Sequence, residues 1–185
     1  MCRPSISNLD YARESISVVR KAFIPADLQL AYDSLITDVE NVLGNRLEES
    51  SSFREIKIHG DCHLGNILWR DDAPHFVDFD DARMGPSVQD LWMLLSGDMI
   101  EQNIQLDWIL EEYTEFRDFD YREISLIEPL RTLRLIGYAG WMAKRWSDPA
   151  FPLAFPWFNS QGYWEKHILE LREQLAALHE PEFRS

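Results

Sequence analysis

Lysine is scarce in this chain, and cysteine is scarcer still. The 185 residues include only four lysines, at Lys21, Lys57, Lys144 and Lys166. The two cysteines, Cys2 and Cys62, are too few for a disulfide framework or a cysteine-based zinc site, and they favour a reducing compartment.

Positive charge is also in the minority. There are 32 acidic and 18 basic residues, which gives a formal charge of −14 that repels phosphodiester backbones. The apolar runs fall well short of the roughly 20 residues that cross a bilayer, and the N-terminus lacks the apolar segment of a signal peptide. The sequence therefore predicts a cytoplasmic protein without nucleic-acid or membrane partners.

Helical periodicity dominates most of the chain. It predicts helices over residues 9–23, 26–43, 87–95, 102–117, 121–146 and 160–179. Gly44 is the predicted stop of the second helix, Ser87 the predicted cap of the third, and Pro129 a predicted bend. The fold class expected is mainly α (α+β), as one domain over residues 1–185.

The middle of the chain has a different pattern. Short strands are predicted over residues 54–58, 67–69 and 75–79, with a turn over 71–74 between the last two. Residues 67–81 therefore form a predicted β-hairpin, and the irregular residues 59–66 precede it as a loop.

Three polar residues in this region have the chemistry of phosphoryl transfer. Asp61 and Asn66 lie five residues apart on the loop, and Asp78 follows near the end of the hairpin. Because a hairpin returns its end beside its beginning, Asp78 is expected next to Asn66. Such a reaction needs a carboxylate to orient the nucleophile and oxygen ligands to hold magnesium on the phosphates.

The motifs HGDCHLGNILWRDD and FVDFDDAR resemble the aminoglycoside phosphotransferase and choline kinase superfamily. The segments GPSVQDLWMLLSGD, LIEPLRTLRLI and RWSDPAFPLAFPWF are similar to those of RdoA-type stress-response Ser/Thr kinases within it. The resemblance covers nearly the whole chain. It implies a protein-kinase-like C-terminal lobe, with ATP as donor, Mg²⁺ as cofactor and a hydroxyl, that of protein Ser or Thr, as acceptor.

The resemblance also implies a role for particular residues. Asp61 is the expected catalytic aspartate, and Asn66 and Asp78 are the expected magnesium ligands. His59 and Asp90 are expected to support the catalytic loop. For Asp90, an ordinary acid in the first turn of a helix explains the residue equally well.

The superfamily's strand-rich N-lobe is not recognisable in this sequence. There is no G-x-G spacing, and none of the lysines lies in a strand ahead of a glutamate-bearing helix. The expectation is a truncated lobe with weak or no ATP affinity of its own. Two alternatives stay open: a catalytically silent module that self-associates or binds an N-lobe through its uncovered face, and a small-molecule hydroxyl kinase.

Other residues keep two interpretations at this point. Asp80 and Asp81 could supply a second metal site, or they are solvated or paired with Arg83. His63 is interpreted as a loop residue near the substrate. The aromatics at positions 141, 146, 151, 155, 157, 158 and 164 form either a substrate-binding wall or part of the core.

Overall fold

The structure is a computed structural model that describes residues 9–49, 53–180 and 183. These residues fall into two compact units, one of residues 53–127 with residue 183 and the other of residues 9–49 with 128–180. Helices predominate in the described part, which confirms the mainly helical class. The single domain over residues 1–185 stays a prediction.

The first unit contains two small antiparallel sheets. Strand β1 (Ile56–Ile58) pairs with β4 (Arg83–Gly85), and β2 (Ile67–Arg70) pairs with β3 (Ala73–Phe76). The hairpin is therefore confirmed, although β3 ends three residues earlier than predicted. It ends there because the chain takes a left-handed conformation at Asp78 and then a 3-10 turn. Strand β4 was not predicted.

The helices of the first unit are α3 (Val88–Trp92) and α4 (Met99–Thr114), followed by a 3-10 turn over Tyr121–Leu126. Helix α4 begins three residues before its predicted start. The cause is a capping box, in which the Asp98 side chain accepts from the Glu101 N–H and the Glu101 side chain accepts from the Asp98 N–H.

Ser87 occupies the predicted N-cap position of α3, but its side chain does not provide the cap. Ser87 has a helical backbone and its side chain makes no capping bond. The buried carboxylate of Glu123 takes that place, accepting from the Val88 N–H at 3.0 Å and from the Ser87 hydroxyl at 2.7 Å. The first N–H of α3 is thus satisfied by a residue 35 positions away.

The second unit is built from α1 (Leu9–Ala22), α2 (Gln29–Glu49), α5 (Ile127–Arg145), α6 (Ala150–Ala154) and α7 (Gln161–His179), with only the first residue of α5 counted in the first unit. The predicted stop of α2 at Gly44 is wrong. The helix continues because Leu43 and Leu47 are both buried, and the Arg46 Nε donates to the Leu178 carbonyl of α7. Packing overrides the weak helix propensity of a single glycine.

The predicted single helix over residues 121–146 is wrong at its beginning. The first six residues form the 3-10 turn, and the α-helix starts at Ile127. Pro129 consequently lies in the first turn of α5, where its missing N–H costs no intrahelical hydrogen bond. The segment over 148–159, predicted as a loop, contains the short helix α6.

Aromatic side chains make much of the core of the second unit. Phe158 and Trp164 are fully buried and lie 5.2 Å apart between ring centroids, with Phe23 and Trp146 packed around them. The core interpretation therefore applies to Phe158 and Trp164. Trp157 remains exposed at the edge of this cluster.

His167 gives the second unit a predicted pH dependence. It is buried among Tyr32, Tyr163 and Trp164, and this burial lowers the pKa of its imidazole from 6.5 to about 4. The unfolded chain binds this proton more readily than the folded chain, so stability should fall as the pH drops below 6.5. Between pH 7.5 and 5.5 we expect a loss of about 1.4 kcal/mol from this residue.

Urea unfolding at the two pH values measures this effect, and a His167→Leu variant should show a correspondingly smaller loss. His75, on the exposed hairpin, supplies the matched control as His75→Leu. An identical pH dependence in His167→Leu and in the unsubstituted protein would contradict the assignment.

Candidate active site

The loop over residues 59–66 is held by the carboxylate of Asp90 in the first turn of α3. The His59 N–H donates to Asp90 Oδ2 at 2.7 Å, and the Gly60 N–H donates to Asp90 Oδ1 at 2.9 Å. Both carboxylate oxygens are thus used on consecutive backbone groups of the loop. Of the two interpretations of Asp90, this geometry favours the one in which the residue anchors the loop.

Gly60 allows the loop to approach the 3-10 turn that follows Asp78, Phe79–Asp81. Its φ is +87°, and a Cβ at this position would lie 2.4 Å from the Asp81 carbonyl oxygen. Only glycine satisfies both conditions. The Gln89 side chain also donates to the Gly60 carbonyl at 3.2 Å, so α3 contacts this residue twice.

His59 links the loop to the hairpin. Its Nδ1 accepts from the Asp61 N–H at 3.3 Å, which assigns the ring proton to Nε2, and Nε2 donates to the Val77 carbonyl at 2.9 Å. The ring is buried and packs on Phe79 at 4.7 Å between centroids. His59 therefore joins the loop to the hairpin, and its support of a catalytic loop stays a prediction.

Asn66 is bonded on both sides of the candidate site. Its Nδ2 donates to the Asp61 carbonyl at 3.0 Å, and its own carbonyl accepts from the Val77 N–H at 3.0 Å. The first bond fixes the orientation of the side-chain amide, because the amino end must face the carbonyl. The oxygen end, Oδ1, is then the end available as a ligand.

Asp78 follows Val77 and has a left-handed backbone, with φ 63° and ψ 62°. Aspartate tolerates this conformation better than most residues do. Since Val77 bonds to Asn66 and Asn66 bonds to Asp61, the backbone at these three predicted positions is brought together in one place. The convergence of their side-chain oxygens on a shared ion stays a prediction.

His63 lies nearer to Asp61 than the sequence indicated. Its Nδ1 accepts from the Gly65 N–H at 3.0 Å, so the neutral ring carries its proton on Nε2, which is 3.6 Å from Asp61 Oδ2. Gly65 makes room for this ring, because a Cβ there would lie 2.8 Å from His63 Cε1. The only hint in the sequence was the position of His63, two residues after Asp61.

Asp80 and Asp81 lie in a 3-10 turn instead of a strand, so the alternation that would have placed Asp80 on the face of Asp78 does not apply. Arg83 binds Asp81 twice, with Nη2 donating to Oδ1 at 2.8 Å and Nε donating to the carbonyl at 2.9 Å. For Asp81, the pairing with Arg83 is thus the interpretation that the geometry supports.

The donor set at this place fits magnesium. Within residues 9–49 and 53–180, no three His, Cys, Asp or Glu side chains are grouped so as to hold a metal ion. Asn66 and Asp78 would instead supply one amide oxygen and one carboxylate. Mg²⁺ prefers such hard oxygen ligands, and it commonly takes only one or two from the protein while waters and phosphates fill the rest.

Cys62, next to Asp61, is buried in an environment that disfavours its thiolate. Burial, with smaller contributions from Asp90 and Asp61, raises the pKa of its thiol to about 11. The thiol is therefore protonated and acts as a small apolar side chain under the loop.

Comparison with known proteins shows the family of this chain. Residues 4–127 match the model of the phosphotransferase enzyme family, APH. The chain is 47% identical over 180 residues to stress response kinase A of Escherichia coli strain K12, and 46% identical over 184 residues to the serine/threonine protein kinase RdoA of Salmonella typhimurium. Each match covers 97% of this chain.

The matched part is about half of each of these relatives, at 54% of their length. In the described part of the chain, no helix is both long and apolar enough to cross a membrane. The family match covers the loop, the hairpin and α3, which contain all of the predicted site residues. The chain belongs to the phosphotransferase enzyme family.

Proposed function

We propose that this chain provides the catalytic loop and metal ligands of a cytoplasmic kinase that transfers the γ-phosphoryl group of ATP to a serine or threonine hydroxyl of a protein. The names of the relatives support the acceptor, because they include a serine/threonine protein kinase. Membership of the phosphotransferase family supports the reaction class. A small-molecule hydroxyl is the second candidate acceptor, since the same residues would serve it.

In this proposal Asp61 orients the acceptor hydroxyl and takes its proton. The His63 Nε2–H faces Asp61 Oδ2, and it would restrict the rotation of that carboxylate. Asn66 Oδ1 and the Asp78 carboxylate would hold Mg²⁺, which neutralises charge on the phosphates. The protein would then accelerate the reaction mainly by positioning the reacting groups and by stabilising the charge that develops on them.

One observation carries the proposal. Asn66 bonds to the Asp61 carbonyl through its side chain and to the Val77 N–H through its carbonyl. The loop and the hairpin are therefore fastened to each other at the residue that is the proposed ligand. Two hydrogen bonds of 3.0 Å support a fixed arrangement of base and metal ligands.

The exposed apolar face of the hairpin suits a partner surface. Trp69 and Phe76 are large apolar side chains exposed on one face of the hairpin, and Leu68 is exposed on the opposite face. Within the proposed kinase, this face would contact the nucleotide and a second lobe. Self-association through the same side chains is the competing outcome, and light scattering in the presence and absence of MgATP distinguishes the two.

The sharpest test of the proposed metal ligand compares Asp78→Asn with Asp72→Asn. Both aspartates have positive φ, 63° and 58°, and each substitution removes one charge. Asparagine tolerates this backbone conformation, so both variants should fold. We expect Asp78→Asn to lower phosphoryl transfer from MgATP to a generic Ser/Thr acceptor protein by about 100-fold or more, and Asp72→Asn to leave it nearly unchanged.

The assay is run with millimolar MgATP, because the sequence predicts weak ATP affinity, and is repeated at increasing Mg²⁺ concentration. Partial recovery of Asp78→Asn at high Mg²⁺ is the expected signature of a lost ligand. Equal activity of the two variants would remove Asp78 from the proposed site. Transfer to small hydroxyl compounds but not to protein would instead select the second acceptor class.

A further inference from the structure

Helix α4 presents an apolar stripe to solvent on the side opposite its packed side. Ile100, Ile104 and Trp108 recur every four residues, and their exposed fractions are 73%, 44% and 63%. Leu106 and Leu110 face the interior of the unit and are buried. The spacing places the three exposed side chains next to one another along the helix surface.

A helix of a soluble domain normally has one apolar face, the one that packs on the core. Helix α4 has two, and three large side chains grouped on its outer face exceed the scattered apolar residues of ordinary surfaces. Nothing in the capping or packing of α4 requires the outer set. The capping box uses Asp98 and Glu101, and the contacts to the unit use the opposite side.

The charged side chains of the helix that bears this stripe are all carboxylates. No lysine or arginine occurs between Gly97 and Phe116. The acidic residues of the helix and its C-terminal cap are Glu101, Asp107, Glu111, Glu112 and Glu115. An apolar patch that is bordered by negative charge favours a partner whose own apolar patch is bordered by positive charge.

We propose that the outer face of α4 is a docking site for a basic amphipathic helix of a partner protein. The partner would place aliphatic side chains at i, i+4 and i+7 against Ile100, Ile104 and Trp108, and its lysines and arginines against the acidic rim. Trp108 would be the main anchor, because a tryptophan buried at the centre of an interface contributes large contact area.

A second copy of this chain fits the same face poorly. Two α4 helices packed through their stripes would bring two wholly acidic rims together, and like charges in a contact are unfavourable. The net charge of −14 adds to this repulsion. The proposal does not depend on catalysis, so it stands or falls separately from the proposed function.

The test uses a synthetic helical peptide of about 18 residues, long enough to form a helix on binding. It has leucines at i, i+4 and i+7 and lysine or arginine at the flanking positions. Its titration into the ¹⁵N-labelled protein is followed by the indole and backbone amide resonances. We expect shifts centred on residues 99–116, with the largest at the Trp108 indole, and weaker binding at higher salt.

The variants Ile104→Ser and Trp108→Ser should each weaken binding of the peptide about tenfold or more. Little change in stability is expected for Trp108→Ser, whose side chain is 63% exposed, and a larger change for Ile104→Ser, whose side chain is 44% exposed. Leu169→Ser is the matched control, since Leu169 is an exposed leucine on helix α7. A peptide with glutamates in place of the basic residues should not bind.

Three results would overturn the proposal. The first is that the basic peptide does not bind at concentrations up to about 1 mM, the limit of weak association. The second is that the stripe variants and the Leu169→Ser control bind the basic peptide with equal affinity. The third is that the protein binds the basic and acidic peptides with equal affinity. Concentration-dependent self-association that Trp108→Ser abolishes would also overturn it, because the occupant would then be a second copy.

Discussion

Substitution of Asp61 by asparagine should lower phosphoryl transfer by about 10²–10⁴-fold, the usual contribution of a general base. The amide has the shape of the carboxylate, but it cannot take the proton of the acceptor hydroxyl. The loop should keep its conformation, because it is the Asp61 backbone that bonds to His59 and Asn66. The loss is therefore expected in kcat, with little change in the KM for MgATP.

The roles of Asp61 and Asp78 can be distinguished by measuring kcat and KM separately. Loss of a metal ligand should change the dependence on Mg²⁺, whereas loss of the base should not. Asp72→Asn again serves as the charge-matched control on the exposed turn of the hairpin. Retention of more than about a tenth of the transfer rate by Asp61→Asn would be too small a loss for a general base and would contradict that role.

Substitution of Asp90 by alanine should be the most destabilising change among the site residues, at about 3 kcal/mol. The carboxylate accepts from two consecutive backbone N–H groups, and hydrogen bonds to a charged group contribute about 1.5–3 kcal/mol each. Without it, the His59 and Gly60 donors lose their partner. The loop should then open locally, and phosphoryl transfer should fall with it.

Urea unfolding and amide hydrogen exchange at His59 and Gly60 measure this effect. Asp98→Ala is the matched control, because Asp98 also accepts a backbone N–H at a helix start but lies on the surface. We expect it to cost about 1 kcal/mol and to leave exchange in the loop unchanged. If Asp90→Ala behaved like Asp98→Ala, the anchoring role of Asp90 would be wrong.

Local sequence patterns predicted much of the fold. Alternation and turn residues predicted the hairpin, and helical periodicity placed most of the helices. The positions of Asp61, Asn66 and Asp78 around that hairpin then followed from the rule that a hairpin brings its ends together. What these predictions share is that each depends on residues close in sequence.

The features that were missed depend on contacts between distant residues. Glu123 replaces the cap expected from Ser87, and this exchange has no local signal. Helix α2 continues beyond Gly44 because Leu47 is buried. Strand β4 forms because it pairs with β1, which lies about 25 residues earlier in the sequence. Propensity is a weak influence beside tertiary packing of this kind.

The candidate site shows the same division. The sequence predicted which residues have the chemistry, and it predicted support by His59 and Asp90 through family resemblance. It did not indicate that His63 would approach Asp61, since that contact depends on the ring fitting over Gly65. A glycine two residues after a histidine is too common to predict such a contact.

Line broadening by Mn²⁺ tests the central claim most directly. Substoichiometric Mn²⁺ with ATP, added to the ¹⁵N-labelled protein, broadens resonances of groups close to the bound ion. The account predicts selective broadening of the Asn66 side-chain amide and of backbone amides over 61–66 and 77–79, with loss of the effect in Asp78→Asn. Broadening that is centred on the acidic helix α4, or that is unchanged in Asp78→Asn, would contradict it.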